Sequence, residues 1–64
     1  MTNYLTVLQL LKRFGIHIYT GDKKTDIELM MAEVKELHES GLLMKEDYLQ
    51  AILILRNELG KINS

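Results

Sequence analysis

The stretch FGIHIYTGDKK, residues 14–24, decides the fold of this 64-residue chain. Two glycines bracket the segment IHIYT, residues 16–20, in which isoleucine alternates with histidine and then tyrosine. An alternation of period two is typical of an extended segment with one side buried. The sequences before and after it have helical spacing. We therefore expect an extended, partly buried connection between a first and a second helix.

The residues before this stretch predict a first helix at about residues 3–14. Apolar side chains recur there at spacings of three and four, which places them on one helical face; they are Tyr4, Val7, Leu8, Leu11 and Phe14. Thr2 or Asn3 is the expected N-cap. Gly15 is expected to end the helix, because glycine readily adopts the left-handed conformation of a C-terminal cap.

Two further helices are predicted after the stretch, at about residues 22–40 and 45–60. Asp22 or Thr25 is expected to cap the second helix. The apolar stripe of the second helix is Ile27, Met30, Val34 and Leu37, widened by Met31, and its solvated face is expected to hold Asp26, Glu33, Glu36 and Glu39. The stripe of the third helix is Tyr48, Ile52, Leu55 and Leu59. The short turn at residues 41–44 makes these two helices antiparallel neighbours.

Length and composition predict a single all-α domain, residues 1–64, folded as a compact three-helix bundle. A chain this short buries only about 60% of its unfolded surface, so self-association is a possible source of further stability. The absence of cysteine excludes disulfides and thiolate zinc sites and fits a cytoplasmic protein. No basic residue precedes Lys12 and no apolar run reaches about 20 residues, so we expect neither secretion nor a membrane span.

The residue types that carry catalysis are sparse, and we expect no enzyme activity, metal or cofactor. No cysteine nucleophile is present, and the two histidines, His17 and His38, fall on different predicted elements. His38 has no metal-ligating residue at the neighbouring helical positions Val34 and Leu42. The acidic residues follow the spacing of a solvated helix face.

Charge is distributed unevenly along the chain, although its net value is only −1. Residues 12–24 hold Lys12, Arg13, Lys23 and Lys24 against one acid, whereas the residues after them hold four basic and eight acidic side chains. A near-neutral whole chain can therefore still attract an anionic partner at this region. Part of the pattern needs no ligand, because Lys12 and Arg13 complement the dipole of the first helix.

Basic and aromatic residues together predict a surface for single-stranded RNA or DNA. Lys12, Arg13, Lys23 and Lys24 would contact phosphates, Tyr19 and also His17 would stack on bases, and all are expected to converge at one end of the bundle. Residues 20–24, at the start of the second helix, are a candidate phosphate-binding site. With three or four phosphates bound, log K should fall against log salt with a slope of roughly −2 to −3.

The alternative is a non-catalytic protein-interaction module. Residues 51–55 of the third helix are apolar almost all the way round, which favours contact with a partner helix or with a second copy in a homodimer. Residue spacing alone does not separate this function from nucleic-acid binding.

Several segments resemble the YqgQ-like family of small bacterial cytosolic proteins. They are LLKRFGIHIYTGDKK at residues 10–24, DIELM at residues 26–30, Tyr48, and LILRNEL at residues 53–59. The most distinctive part is IYTGD, residues 18–22, and the resemblance spans essentially the whole chain. It implies a compact three-helix bundle and a role in binding single-stranded nucleic acid, without assigning binding residues.

Overall fold

The computed structural model describes residues 3–63, which form three helices and no strand. Helix α1 is Tyr4–Arg13, α2 is Lys23–Glu39 and α3 is Lys45–Asn63. The predicted all-α three-helix bundle is therefore confirmed. The predicted end of the third helix at residue 60 was too early, because Gly60 stays within α3. A glycine costs a helix about 1 kcal/mol relative to alanine, which does not require the helix to end.

Side-chain caps fix the first turns of α1 and α2. The Asn3 side chain accepts a hydrogen bond from the Thr6 N–H at 3.0 Å, and Asp22 accepts one from the Thr25 N–H at 3.0 Å. These bonds satisfy N–H groups that have no partner within the helix. Asn3 and Asp22 are thus the N-caps, while Thr2, the alternative for α1, lies outside the described residues.

Glycine ends α1 and α2 in the same way. Gly15 and Gly41 each have a φ of 77°, a left-handed conformation that glycine adopts without strain. In the first turn the Ile16 N–H donates to the Leu11 carbonyl at 3.0 Å, and in the second the Leu42 N–H donates to the Leu37 carbonyl at 2.9 Å. This six-to-one bond defines a Schellman motif and redirects the chain out of the helix axis.

The core is formed by nine buried apolar side chains from all three helices and the α2–α3 turn: Val7, Leu11, Ile27, Met30, Val34, Leu37, Leu43, Ala51 and Leu55. The predicted stripe of α2 is fully buried except Met31, which packs against the core from its edge. Phe14, predicted on the buried face of the first helix, is 38% exposed. It occupies the C-cap of α1, where the chain leaves the helix.

The connector, residues 14–22, runs back beside α1 instead of turning directly into α2. The evidence is that Lys23, the first residue of α2, places its Nζ 4.9 Å from the ring centre of Tyr4, the first residue of α1. Both helices therefore start at the same end of the bundle. Lys23 also pairs with Glu58 near the end of α3, so α3 runs antiparallel to α1 and α2.

Candidate nucleic-acid interface

A buried carboxylate anchors the connector to α2. Asp26 is only 6% exposed and accepts hydrogen bonds from the Thr20 N–H at 2.8 Å and the Thr20 hydroxyl at 2.6 Å. The prediction that Asp26 belongs to the solvated face of α2 was wrong, because the returning connector covers it. This pair of bonds fixes the backbone directly after Tyr19.

The predicted alternation within the connector is confirmed by its burial. Ile16 and Ile18 are partly buried and pack against the core, while His17 and Tyr19 are exposed. Tyr19 has 88% of its surface accessible. A tyrosine this exposed does not stabilise the fold through burial, so its ring is free to contact a ligand.

One surface groove, here called the Lys12 groove, lies between α1 and the connector. It is lined by Leu8, Lys12, Ile16, His17, Ile18 and Tyr19. The structure therefore brings together three of the sequence-predicted residues, Lys12, His17 and Tyr19. Leu8 lies one helical turn before Lys12 and supplies an apolar floor.

A second groove, here called the Lys23 groove, borders the first. It is lined by Tyr4, Leu8, Ile18, Tyr19, Gly21, Lys23 and Asp26. Leu8, Ile18 and Tyr19 line both grooves. Tyr19 thus stands at the boundary between them, and each groove contains one lysine.

Lys23 is already engaged within the protein. Its Nζ lies 2.9 Å from the Glu58 carboxylate and 4.9 Å from the ring centre of Tyr4. Hydrogen bonds from Lys23 and then Lys61 hold the pKa of Glu58 below its usual value. Lys23 therefore links all three helices, and a phosphate would have to compete with Glu58 for its ammonium group.

Arg13 and Lys24 lie away from the shared edge of the two grooves. Arg13 lines a separate depression between α1 and α3, together with Thr6, Gln9, Leu10 and Asp47. Lys24 is exposed in the first turn of α2. The prediction that the four cations converge at one end was wrong. Lys12 and Arg13 stand at the last turn of α1, and Lys23 and Lys24 stand beside its first turn. Lys12 is eight residues after Tyr4, so the two pairs lie about 12 Å apart along the helix axis.

The N-terminus of α2 does not form the phosphate-binding site expected at residues 20–24. The Asp22 carboxylate accepts hydrogen bonds from both the N–H and the hydroxyl of Thr25. These bonds, and to a smaller extent the charge of Lys24, hold the pKa of Asp22 below its usual value. With Asp26 one turn further on, this helix end already carries two carboxylates, and they repel a phosphate.

Sequence reasoning missed the apolar part of the interface. Tyr4 and Leu8 were expected on the apolar stripe of the first helix and Ile18 on the buried side of the connector, yet all three line a groove. Leu8 and Lys12 are one helical turn apart, and this spacing is the signal that could have identified the Lys12 groove.

Within residues 3–63, no three side chains among histidine, aspartate and glutamate lie close enough together to hold a metal ion. None of the helices formed by these residues is sufficiently long and apolar to cross a membrane.

Comparison with known proteins gives one family. The model of the YqgQ-like family matches residues 1–61. The uncharacterised protein YqgQ of Bacillus subtilis strain 168 is 42% identical over 59 residues, which cover 92% of this chain and 83% of the relative. The family model covers α1, the connector, α2 and α3 as far as Lys61.

Proposed function

The chain belongs to the YqgQ-like family, and we propose that it binds single-stranded RNA or DNA along the connector. In this proposal the strand follows the two grooves beside α1, with Tyr19 at the centre. The function is binding without catalysis, and we place it in the cytoplasm, in keeping with the absence of cysteine.

The observation that carries the proposal is the position of Tyr19. Its ring is 88% exposed and borders two grooves that each contain a lysine. Proteins that bind single strands without sequence preference combine aromatic platforms for the bases with cations for the backbone. Tyr19 supplies the platform, and Lys12, which forms no salt bridge within the described residues, supplies the cation.

Each sequence-predicted residue has a different role in this proposal. Tyr19 stacks on a base, and His17 extends the stacking surface within the Lys12 groove. Lys12 contacts a phosphate within the Lys12 groove, and Lys24, exposed next to Lys23 but outside the grooves, contacts a phosphate of the strand where it leaves the Lys23 groove. Lys23 mainly holds the helices together, since its charge is paired with Glu58.

The direct test is a titration of the protein into a fluorescein-labelled oligo(U) or oligo(dT), followed by anisotropy. Replacing Tyr19 with alanine should weaken binding by about 1 to 3 kcal/mol, roughly 5- to 150-fold, because the stacked base loses its platform. Tyr19→Trp retains a ring and should keep the affinity.

Phe14→Ala is the matched control, since Phe14 is an exposed aromatic residue of the same region but lines neither groove. Equal affinity for wild type and Tyr19→Ala, with the helical circular dichroism unchanged, would refute the stacking role. Binding that is insensitive to Tyr19 but lost in the Phe14 variant would move the interface elsewhere.

A second candidate function is a homodimerising or partner-binding module, and it rests on α3. Leu49 and Leu53, one turn apart on that helix, are 53% and 71% exposed. Sedimentation at decreasing concentration distinguishes the two functions. A homodimer dissociates on dilution and responds to Leu53→Ala, whereas oligonucleotide binding responds to Tyr19→Ala.

A further inference from the structure

A third groove runs between α2 and α3, and no residue of α1 or the connector lines it. Its walls are Met31, Ala32 and Lys35 from α2 and Tyr48, Ile52 and Arg56 from α3. Because α1 packs on the opposite side of this helix pair, the groove faces away from Tyr19. A ligand here and a strand on the connector would not compete for the same surface.

The floor of this groove is apolar and well ordered by packing. Met31 and Ile52 are partly buried and pack against the core. The Tyr48 ring stacks on His38, with 4.4 Å between ring centres and an interplanar angle of 5°. His38 Nδ1 donates to the Leu43 carbonyl at 3.0 Å, because a carbonyl can only accept. The His38 ring therefore supports one face of the Tyr48 ring.

The apolar floor continues onto the exposed side of α3. Leu49 and Leu53 are exposed and lie three residues before and one residue after Ile52. Residues three and four apart are neighbours on a helix surface, so the three side chains form one strip. The strip spans about one helical turn and extends the apolar floor of the groove, which suits the apolar face of a helix.

Both charged side chains that line the groove are cations. Neither Lys35 nor Arg56 forms a salt bridge with another residue of the described part of the chain. Lys35 lies one turn beyond Met31, and Arg56 lies one turn beyond Ile52. Since α2 and α3 are antiparallel, the two cations stand at opposite ends of the groove, about two helical turns apart.

From this charge arrangement we propose that the α2–α3 groove docks an amphipathic α-helix of a partner protein. The apolar residues of that helix pack on Met31, Ile52 and the neighbouring leucines. Two acidic residues on its flanks, about two turns apart, pair with Lys35 and Arg56. Helix-in-groove recognition of this kind uses apolar anchors at helical spacing, and the flanking charges set the orientation.

The test begins with a displayed library of amphipathic helices, with leucine fixed at the apolar positions and the flanking positions randomised. Selection on the wild-type protein should enrich aspartate or glutamate at two flanking positions about two turns apart. One selected peptide is then labelled with fluorescein and titrated. Chemical-shift changes in the protein should map to the groove residues.

Two charge-reversed variants supply a reciprocal control. Lys35→Glu/Arg56→Glu should lower peptide affinity about tenfold or more, while oligonucleotide binding stays unchanged. Lys12→Glu/Lys24→Glu makes the same change in net charge and should leave peptide binding unchanged. Because the two ligands are measured separately, failure of this proposal is distinguishable from failure of nucleic-acid binding.

Several outcomes would overturn the proposal. Selection that enriches no helix, or helices without acidic flanks, would show that the cations do not choose the partner. Chemical-shift changes of the groove residues that appear when the protein alone is concentrated would show that the groove binds a second copy of this chain. Loss of oligonucleotide binding in Lys35→Glu/Arg56→Glu would assign it to nucleic acid.

Discussion

Lys23 and Glu58 join the first turn of α2 to the C-terminal part of α3 through a 2.9 Å ion pair. The same ammonium group lies over the ring of Tyr4 at the start of α1. One lysine therefore contacts all three helices at the end of the bundle where α1 and α2 begin. A substitution of Lys23 can therefore weaken binding by destabilising the fold as well as by removing a cation.

The first prediction concerns the stability of Lys23 and Lys24 variants. Lys23→Met should lower Tm by about 2–8 °C. A solvent-accessible cation over an aromatic ring contributes about 0.5–1 kcal/mol, and the Tm of a domain of this size shifts by about 4–8 °C per kcal/mol. Lys24→Met removes the same charge one residue later and should leave Tm within about 1 °C. Thermal melts followed by circular dichroism measure the Tm of both variants. Equal Tm shifts would show that the contacts of Lys23 with Tyr4 and Glu58 do not stabilise the fold.

The second prediction is a pH dependence of stability that passes through Glu58. Hydrogen bonds from Lys23 and Lys61 lower its pKa from the usual 4.5. A carboxyl with a lowered pKa in the folded state stabilises the fold above its unfolded pKa, and this stabilisation is lost as pH falls through the folded pKa. The Tm difference between wild type and Glu58→Gln should therefore be constant above about pH 5.5 and shrink toward zero on acidification.

Asp22 provides an independent check on this pH dependence. The pKa of Asp22 is also lowered, chiefly by the bonds from Thr25. The Glu58→Gln protein should therefore still lose stability as the pH falls, because Asp22 becomes protonated. A Tm difference for Glu58→Gln that grows as pH falls would reverse the expected sign and refute the assignment.

The third prediction concerns the anchor of the connector. Asp26→Ala should cost about 1–3 kcal/mol in the free energy of unfolding, because it removes the carboxylate that accepts two part-buried hydrogen bonds from Thr20. It should also weaken oligonucleotide binding, since the backbone next to Tyr19 loses its fixed position. Asp26→Asn keeps an acceptor oxygen and should retain most of the stability.

Glu28→Ala is the control for this anchor, because Glu28 is exposed on the same helix two residues later. Urea denaturation measures the free energy of unfolding for all three variants. An Asp26→Ala protein as stable as the Glu28 variant would show that the Thr20 bonds contribute little.

Much of the fold could be predicted from the sequence because its determinants are local. The side chain of Asp22 caps the helix that follows it, Gly15 and Gly41 supply left-handed caps, and the alternation at residues 16–20 reports which side of the connector is buried. Each of these features depends on neighbours within a few residues. Local propensity and spacing are then sufficient.

The direction of the connector could not be predicted, and most of the errors follow from it. Spacing shows that Ile16 and Ile18 are buried but not which helix they pack beside. Once the connector runs back along α1, it covers Asp26 and separates Lys12 from Lys23. The pair between Lys23 and Glu58 joins residues far apart in sequence, so no local pattern indicates it.

The last prediction is the salt dependence of oligonucleotide binding, and the structure changes its expected size. Sequence reasoning counted three or four phosphate contacts, but Lys23 is paired with Glu58 and Arg13 lines a separate depression. Two contacts, from Lys12 and Lys24, give a slope of about −1.4 in log K against log salt, at about 0.7 per phosphate for a single strand. Lys12→Gln and Lys24→Gln should each reduce the slope to about −0.7, and Arg13→Gln should leave it unchanged. Titrations between low and high salt measure all four slopes. A wild-type slope near zero would exclude phosphate contacts altogether, and a reduced slope in Arg13→Gln would extend the interface to the α1–α3 side.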